Sequence, residues 1–318
     1  MWDEVVLLGS DDLMLGPARV PPLIDASRRG ATMVCVSSML AKSPTIDGSQ
    51  ALRLLDDAWS LVAGVFARQQ VREYLRAQAA SKRAVPPGQW HPWIPGLAWW
   101  VPRRAQRAFR GKPIADAMLV ARDMLSLHQV PDVLTSHRDA AARRIGDQGA
   151  AALWELRVAG QYAGAGIPVE WSAVTRAAEE GAPDVFLPAH GAVIEVKALL
   201  PREDPLELGP VFRNVRRAHS QIKRTDGPGA IVIAIPGAYD FGPWEPQDSA
   251  FRQTLRDWFT EPEFTPVSAV IFTCDPRYQL VGDVLFHYGN FSWRWYNPNA
   301  SHPWPNDLPL LSDGPGAS

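Results

Sequence analysis

The sequence has few cysteines and almost no excess charge, and both shortages exclude classes of protein. Cys35 and Cys274 are the two cysteines among 318 residues, and neither stands near a cluster of histidines. A disulfide framework and a cysteine-based zinc site are therefore not expected. The formal net charge is −2, so no global positive field attracts nucleic acid, and such a partner would have to be held by a local patch.

Long apolar runs and phosphate-binding loops are also missing. No apolar run approaches the ~20 residues that span a bilayer. The opening MWDEVVLLGSDD has acids where a signal peptide has basic residues. We therefore expect a cytoplasmic protein with no membrane partner. No Gly-rich loop precedes a predicted helix, so the sequence offers no ATP-binding motif.

The first part of the chain is predicted to be mostly helical. Apolar residues recur at spacings of three and four over 49–83 and over 114–130, which predicts two helices. The prolines and glycines of 85–112 forbid a long regular element between them, and the apolar run at 31–40 predicts a buried strand. We place a domain boundary after residue 140, which makes 1–140 an N-terminal recognition or regulatory region.

The second part, residues 141–318, alternates helices with short strands. A helix with Asp147 as its N-cap is expected first. Further elements are expected in the following order: three strands at 167–174, 183–188 and 192–200, a basic helix at 211–224, a strand at 230–237, a helix at 249–260, a strand at 266–274 and two edge strands within 283–300. This order predicts an α/β fold with a mixed sheet flanked by helices.

The strand AVIEVKALL carries two charges that invite a chemical interpretation. Side chains alternate along a strand, so Glu195 and Lys197 share one face with Val193 and Leu199. The opposite face is wholly apolar and is expected to pack against a helix. A surface ion pair contributes only ~0–1 kcal/mol, whereas a buried charge is costly unless it is paired or binds something. A solvated strand face and a structural ion pair remain the alternatives to a chemical role.

Asp184 strengthens the chemical interpretation. It follows Pro183 at the start of the preceding strand, eleven positions before Glu195. If the two strands form a hairpin, the two carboxylates approach each other and raise each other's pKa unless a cation lies between them. A hard divalent ion, Mg²⁺ or Mn²⁺, held by Asp184, Glu195 and the carbonyl of Val196 would remove this conflict. Lys197 would then point at a phosphate or at the attacking water beside the metal.

Asp184 followed by Glu195-Val196-Lys197 resembles the PD-(D/E)XK nuclease superfamily. The frame around these residues is similar too, and the resemblance covers about residues 147–237. It implies a restriction-endonuclease-like α-β-β-β-α-β core and a metal-dependent nuclease that hydrolyses phosphodiester bonds, of DNA rather than RNA. In that interpretation Asp184, Glu195 and Lys197 are catalytic.

The same resemblance assigns two further residues. Glu155, on the leading helix, matches a glutamate that often stands near the metal in the family. Gln221, in the basic helix, matches a glutamine that orients the site or touches DNA. A solvent-facing glutamate and a plain surface glutamine are the alternatives for these positions.

The basic helix also provides the local patch that a nucleic-acid partner requires. Arg213, Arg216 and Arg217 fall on neighbouring helical positions with Gln221, and we predict that they bind the phosphates. The stretch WWVPRRAQRAFRGK (99–112) is a second candidate, since aromatics beside arginines suit unpaired bases. Alternatively, its tryptophans pack the joint between two domains.

Two functions other than a nuclease stay open. A nuclease-like core that no longer cuts could serve as a nucleic-acid-binding or scaffolding module. A small-molecule enzyme using the acidic pair is the third class, and no cofactor motif supports it. The N-terminal region 1–140 is the expected contact for a partner protein or for a second copy of the chain.

Overall fold

The computed structural model describes most of the chain between residues 48 and 308. The described residues are 48–80, 89–106, 114–177, 179, 181–199, 208–235, 244–274, 277–281, 284–288 and 292–308. The predicted strand at 31–40 lies outside them. They fall into two compact units that divide between Val185 and Phe186, the first also holding Tyr278–Phe286. The domain boundary expected after residue 140 stays a prediction.

Helices dominate the described part of the first unit. In chain order they are α1 Gly48–Val62, α2 Arg68–Ala80, α3 Ile94–Trp100, α4 Ile114–Gln129, α5 Val133–Ser136, α6 Arg138–Gln148, α7 Ala150–Gly164 and α8 Ser172–Thr175. The helices predicted at 49–83 and 114–130 are confirmed. The first is interrupted by a π-helical turn, Ala63–Ala67. None of the helices in the described ranges is long and apolar enough to cross a membrane.

The core of the first unit contains a buried ion pair between α4 and α7. Arg157 on α7 donates to Asp123 on α4 through Nε at 2.5 Å and through NH2 at 3.0 Å, and Trp93 Nε1 donates to the same carboxylate at 2.9 Å. The two helices approach closely because Gly160 has no side chain. A Cβ at that position would meet Cβ of Ser126 at 2.5 Å, which is less than a real contact tolerates.

A five-stranded mixed sheet forms the framework of the second unit. Its strands lie in the order β1-β2-β3-β4-β7. The strands in the described ranges, including those outside this sheet, are β1 Val185–Leu187, β2 Ala192–Ala198, β3 Gly229–Ile235, β4 Val267–Cys274, β5 Arg277–Val281, β6 Val284–Tyr288 and β7 Ser292–Tyr296. β2, β3 and β4 are parallel, β7 runs antiparallel to β4, and β5 pairs with β6 in a separate sheet. The predicted α/β class with a mixed sheet is therefore correct.

Two helices accompany this sheet, α9 Leu208–Ile222 and α10 Trp244–Thr260. The buried stripe of α9 repeats at helical spacing and consists of Val211, Val215, Ala218 and Ile222. It packs in one cluster with Val193 of β2, with Leu199 just after that strand, and with Ile231 and Ile233 of β3. This contact places α9 over the face of β2 to which residues 193, 195, 197 and 199 belong.

Two local predictions are wrong. Residues 167–174 were expected to form a strand, but Ser172–Thr175 form the short helix α8. Side chains account for the turn: Thr175 Oγ1 donates to Glu170 at 2.5 Å, and Arg176 donates to the same carboxylate at 2.6 and 2.8 Å. A short apolar run does not by itself distinguish strand from helix. The described order around the motif is therefore α-β-β-α-β, with two strands before the basic helix.

The predicted N-cap is also misplaced. Asp147 lies inside α6, and the break before α7 falls at Gly149. The backbone there has φ +50 and ψ −116, a conformation that glycine adopts without strain. The two predicted edge strands have different partners, since β6 pairs with β5 whereas β7 forms the edge of the main sheet.

Candidate functional site

The acidic and basic residues of the motif strand form a direct ion pair. Lys197 Nζ donates to Glu195 Oε2 at 3.0 Å. The Glu195 side chain is 3% exposed and that of Lys197 is 14% exposed. Glu195 is thus buried, and a solvated strand face does not describe it.

The residues of β3 beside this pair are apolar. Glu195 lies beside Ile231 and Lys197 beside Ile233 in the register with β3, and both isoleucines belong to the cluster beneath α9. Helix α9 therefore packs against the face of β2 that carries the two charges, on the apolar residues to either side of them. The sequence had predicted that a helix packs on the opposite, wholly apolar face. Burial decreases along β2, since Ala192–Val196 are buried and Lys197 and Ala198 are partly exposed. Solvent thus reaches the pair from the carboxyl end of the strand.

The carbonyl of Val196 points away from β3. Val193 N donates to Pro228 O and Leu199 N to Ala234 O, each at 2.9 Å. In a parallel ladder alternate residues bond to the same neighbour, so residues 193, 195, 197 and 199 direct their backbone groups toward β3. The Val196 carbonyl is directed to the opposite edge, on the side of β1.

Glu155, in the first unit, is held by two partners. Arg144 on α6 donates to Glu155 Oε1 through NH2 at 2.6 Å and to Oε2 through Nε at 3.2 Å. Trp171 Nε1 donates to Oε2 at 3.0 Å. The glutamate is 2% exposed, so the alternative of a solvent-facing residue is excluded.

Asp184 extends this cluster, which we call the Arg144 cluster and define as Arg144, Glu155, Trp171 and Asp184. Arg144 NH2 lies 3.8 Å from Asp184 Oδ1, and the backbone carbonyl of Asp184 accepts from Ala173 N at 3.3 Å. Burial raises the pKa of Glu155 from 4.5 to about 7, and the charge of Asp184 adds to this effect. The hydrogen bonds from Arg144 and Trp171 act in the opposite direction.

The donor types suit a hard cation only in part. Carboxylate and carbonyl oxygens are what Mg²⁺ and Mn²⁺ prefer, which fits Asp184, Glu195 and the Val196 carbonyl. Glu155 is different, because N–H donors of the protein already occupy both of its oxygens. Within the described ranges, no three His, Cys, Asp or Glu side chains are grouped closely enough to hold a metal ion. A role for Glu155 is therefore more consistent with holding Arg144 than with binding metal.

The predicted phosphate-binding arginines of α9 are exposed, and Gln221 is half-buried. Arg216 is further constrained, since its guanidinium carbon lies 4.9 Å from the centre of the Trp258 ring. Trp258 in turn stacks on Phe264 with ring centres 5.2 Å apart. Arg213 and Arg217 remain at the surface beside it. Three exposed guanidinium groups, one of them stacked on an aromatic ring, are a suitable surface for phosphate groups.

In the second patch, Arg103 contacts the end of the preceding helix, α3. It donates to Trp99 O at 2.8 Å and its guanidinium carbon lies 5.0 Å from the Trp99 ring centre. Trp99 and Trp100 are buried, so these tryptophans serve packing. The side chains of Arg104 and Arg107 lie outside the described residues.

Sequence reasoning missed Arg144 and Trp171. Neither residue stands at a motif position, because their contacts to Glu155 depend on how α6, α7 and the segment before α8 fold together. The run DAAARRIGDQ contains two adjacent arginines, and nothing in its spacing distinguishes Arg144 from its exposed neighbour Arg143.

Comparison with known proteins finds no counterpart: no family model, no curated protein and no solved structure matches this chain. The resemblance to PD-(D/E)XK nucleases therefore stays a prediction. Function has to be inferred from the residues and their geometry.

Proposed function

We propose that the protein is a metal-dependent nuclease of the PD-(D/E)XK type that hydrolyses phosphodiester bonds of DNA. One observation carries the proposal: the buried Glu195 and the partly exposed Lys197 form an ion pair on a strand face whose other residues are apolar. The restriction-endonuclease-like core and the cytoplasmic location belong to the same proposal.

The energetics of the pair favour a chemical role over a structural one. Removing a charge such as that of the buried Glu195 from water is costly, and the attraction of a partner such as the partly exposed Lys197 often fails to compensate. Two aliphatic residues at these positions would continue the surrounding core of Val193 and Leu199 without that cost. Retention of both charges is understandable if they act on a substrate.

The residues would divide the work as follows. When bound to Asp184, Glu195 and the Val196 carbonyl, a divalent ion would neutralise the scissile phosphate and lower the pKa of a coordinated water. The ammonium of Lys197 would stabilise the negative charge that develops on the phosphate or orient the water. It lies at the more exposed end of β2, where a substrate can approach.

Arginines on α9 would hold the nucleic acid. They form a local positive surface on a chain whose net charge is −2. Replacing Arg213, Arg216 and Arg217 together by alanine should weaken binding to all sequences and flatten the dependence of log K on log salt by up to ~0.9 for each lost duplex phosphate contact. A matched control removes three exposed arginines of α2: Arg68, Arg72 and Arg76. Equal losses in both triple variants would contradict this placement of the groove.

A second candidate is a nuclease-like module that binds nucleic acid without cutting it. A specific observation favours it: donors of the protein itself engage Glu155 and Glu195. In a module of this kind the carboxylates of Glu155 and Glu195 would stabilise the fold, and the arginines of α9 would bind the nucleic acid.

Cleavage assays distinguish the two candidates. The protein is incubated with supercoiled plasmid, linear duplex, single strands and RNA, in Mg²⁺, Mn²⁺ or EDTA. We expect cleavage of DNA that EDTA abolishes and that Asp184→Ala and Lys197→Ala each remove while the fold is retained. Arg72→Ala, which removes one exposed charge from α2, should cleave normally. Binding without cleavage under every metal condition would favour the module, and full activity of Lys197→Ala would reject the assigned site.

A further inference from the structure

We propose that Trp258 is a positioning residue for nucleic-acid binding: it restrains the guanidinium of Arg216 on the surface of α9, so that this arginine is already ordered when it meets a phosphate group. This inference rests on the proposed function, because it presumes that α9 binds nucleic acid. It involves no metal ion, and binding can be measured without cleavage.

The arginine and the tryptophan meet between two helices. The guanidinium carbon of Arg216 on α9 lies 4.9 Å from the centre of the Trp258 ring on α10, within the range of a cation–π contact. Arg216 is exposed, whereas Trp258 is only 6% exposed. The contact therefore connects a solvent-facing positive charge to a ring that belongs to the core.

Neighbouring rings hold the Trp258 ring in place. Phe264 stacks on it with ring centres 5.2 Å apart and planes 15° apart, and Phe212 approaches it at 5.3 Å with an angle of 71°. Phe264 is fully buried and stacks in turn on His219, with ring centres 4.3 Å apart. Because Trp258 cannot swing away without disturbing this packing, it offers Arg216 a fixed point of contact.

The neighbouring arginines of α9 differ in this respect. Arg213 and Arg217 are exposed as well, but no aromatic ring among the described residues receives their guanidinium groups. A long side chain loses rotamer freedom when it binds a ligand, and a side chain that is already ordered avoids this cost. An aromatic ring can order a guanidinium without occupying its N–H donors. We therefore expect Arg216 to contribute more to affinity than either neighbour.

The test measures the binding of a fluorescently labelled DNA duplex by anisotropy, in EDTA and at several salt concentrations. Trp258→Leu should weaken binding about three- to tenfold, the cost of ordering one long side chain. The slope of log K against log salt should stay that of wild type, because the variant loses no charge. Arg216→Ala, by contrast, should flatten this slope by up to ~0.9.

The double variant Trp258→Leu/Arg216→Ala shows how Trp258 acts. If Trp258 works through Arg216, the double variant binds DNA no more weakly than Arg216→Ala alone. A tryptophan that only stabilises the fold would weaken binding by the same factor with and without Arg216, and that result would overturn the inference. Trp295→Leu is the matched control, because Trp295 packs against the same core cluster, and it should bind DNA as wild type does.

A second pair of variants decides the matter if Trp258→Leu does not fold. Arg216→Lys keeps both the ring and the charge but loses the planar group that stacks on the ring. It should bind about three- to tenfold more weakly than wild type at an unchanged salt slope, and Arg217→Lys should lose less. Equal losses in these two variants would overturn the inference and leave the proposed function standing. If wild type binds no DNA at any salt concentration, the proposed function and this inference both fail.

Discussion

The stability of the protein should depend on pH through Glu155. In the folded chain the pKa of this carboxyl is raised from 4.5 to about 7, first by burial and then by Asp184. Between these two values the folded state retains a proton that the unfolded chain has released. The proton on Glu155 therefore stabilises the folded state fully when the pH is below 4.5, the pKa in the unfolded chain. This stabilisation is lost as the pH rises through about 7, the pKa in the folded chain.

The size of the effect follows from the two pKa values. Their difference, from 4.5 to about 7, corresponds to about 3 kcal/mol in the free energy of unfolding, at about 1.4 kcal/mol for each pKa unit. Such a change is a large fraction of the ~5–15 kcal/mol that stabilises a typical domain. It should be measurable even though other groups titrate over the same range.

Glu155→Gln isolates this contribution, because glutamine resembles the protonated glutamate and does not titrate. We expect urea denaturation to show that the free energy of unfolding of wild type, relative to that of the variant, falls by about 3 kcal/mol between about pH 5 and about pH 8. Glu170→Gln is a suitable control, since a hydrogen bond from Arg176 lowers the pKa of Glu170 and leaves it ionised throughout that range. If the free energies of unfolding of wild type and Glu155→Gln differ by a constant amount across this pH range, the reasoning is refuted.

Three further predictions concern the packing that supports the site. Asp123→Ala removes the carboxylate that pairs with the buried Arg157 and should lower the free energy of unfolding by about 3–5 kcal/mol. A thermal denaturation close to that of wild type would contradict this prediction. Gly160→Ala drives a methyl group against Ser126 and should cost about 1–3 kcal/mol, which Ser126→Gly should partly restore in chemical denaturation. Arg216→Ala removes a guanidinium from the Trp258 ring, so its melting temperature should fall more than that of Arg217→Ala, and equal melting temperatures would argue against the stacking.

Several elements were predictable because their signal is local. The run AIVIAIPG is continuously apolar, and Gly229–Ile235 form the strand β3, which is paired in parallel on both sides. Helical periodicity located Ile114–Gln129 and Leu208–Ile222. Residues 167–174 were predicted wrongly because the apolar run is short and side-chain bonds of Glu170 to Thr175 and Arg176 decide its conformation.

The sequence by itself determined the relation between Glu195 and Lys197. Two residues separated by one position on a strand must share a face, and the ion pair between them is a consequence of that alternation. Only the tertiary structure decided that α9 packs on this face and that Arg144 binds Glu155. Those contacts join elements that are independent in the sequence, and the bonds that select Arg144 over Arg143 exist only once α6 and α7 are packed with Gly149 turning the chain between them.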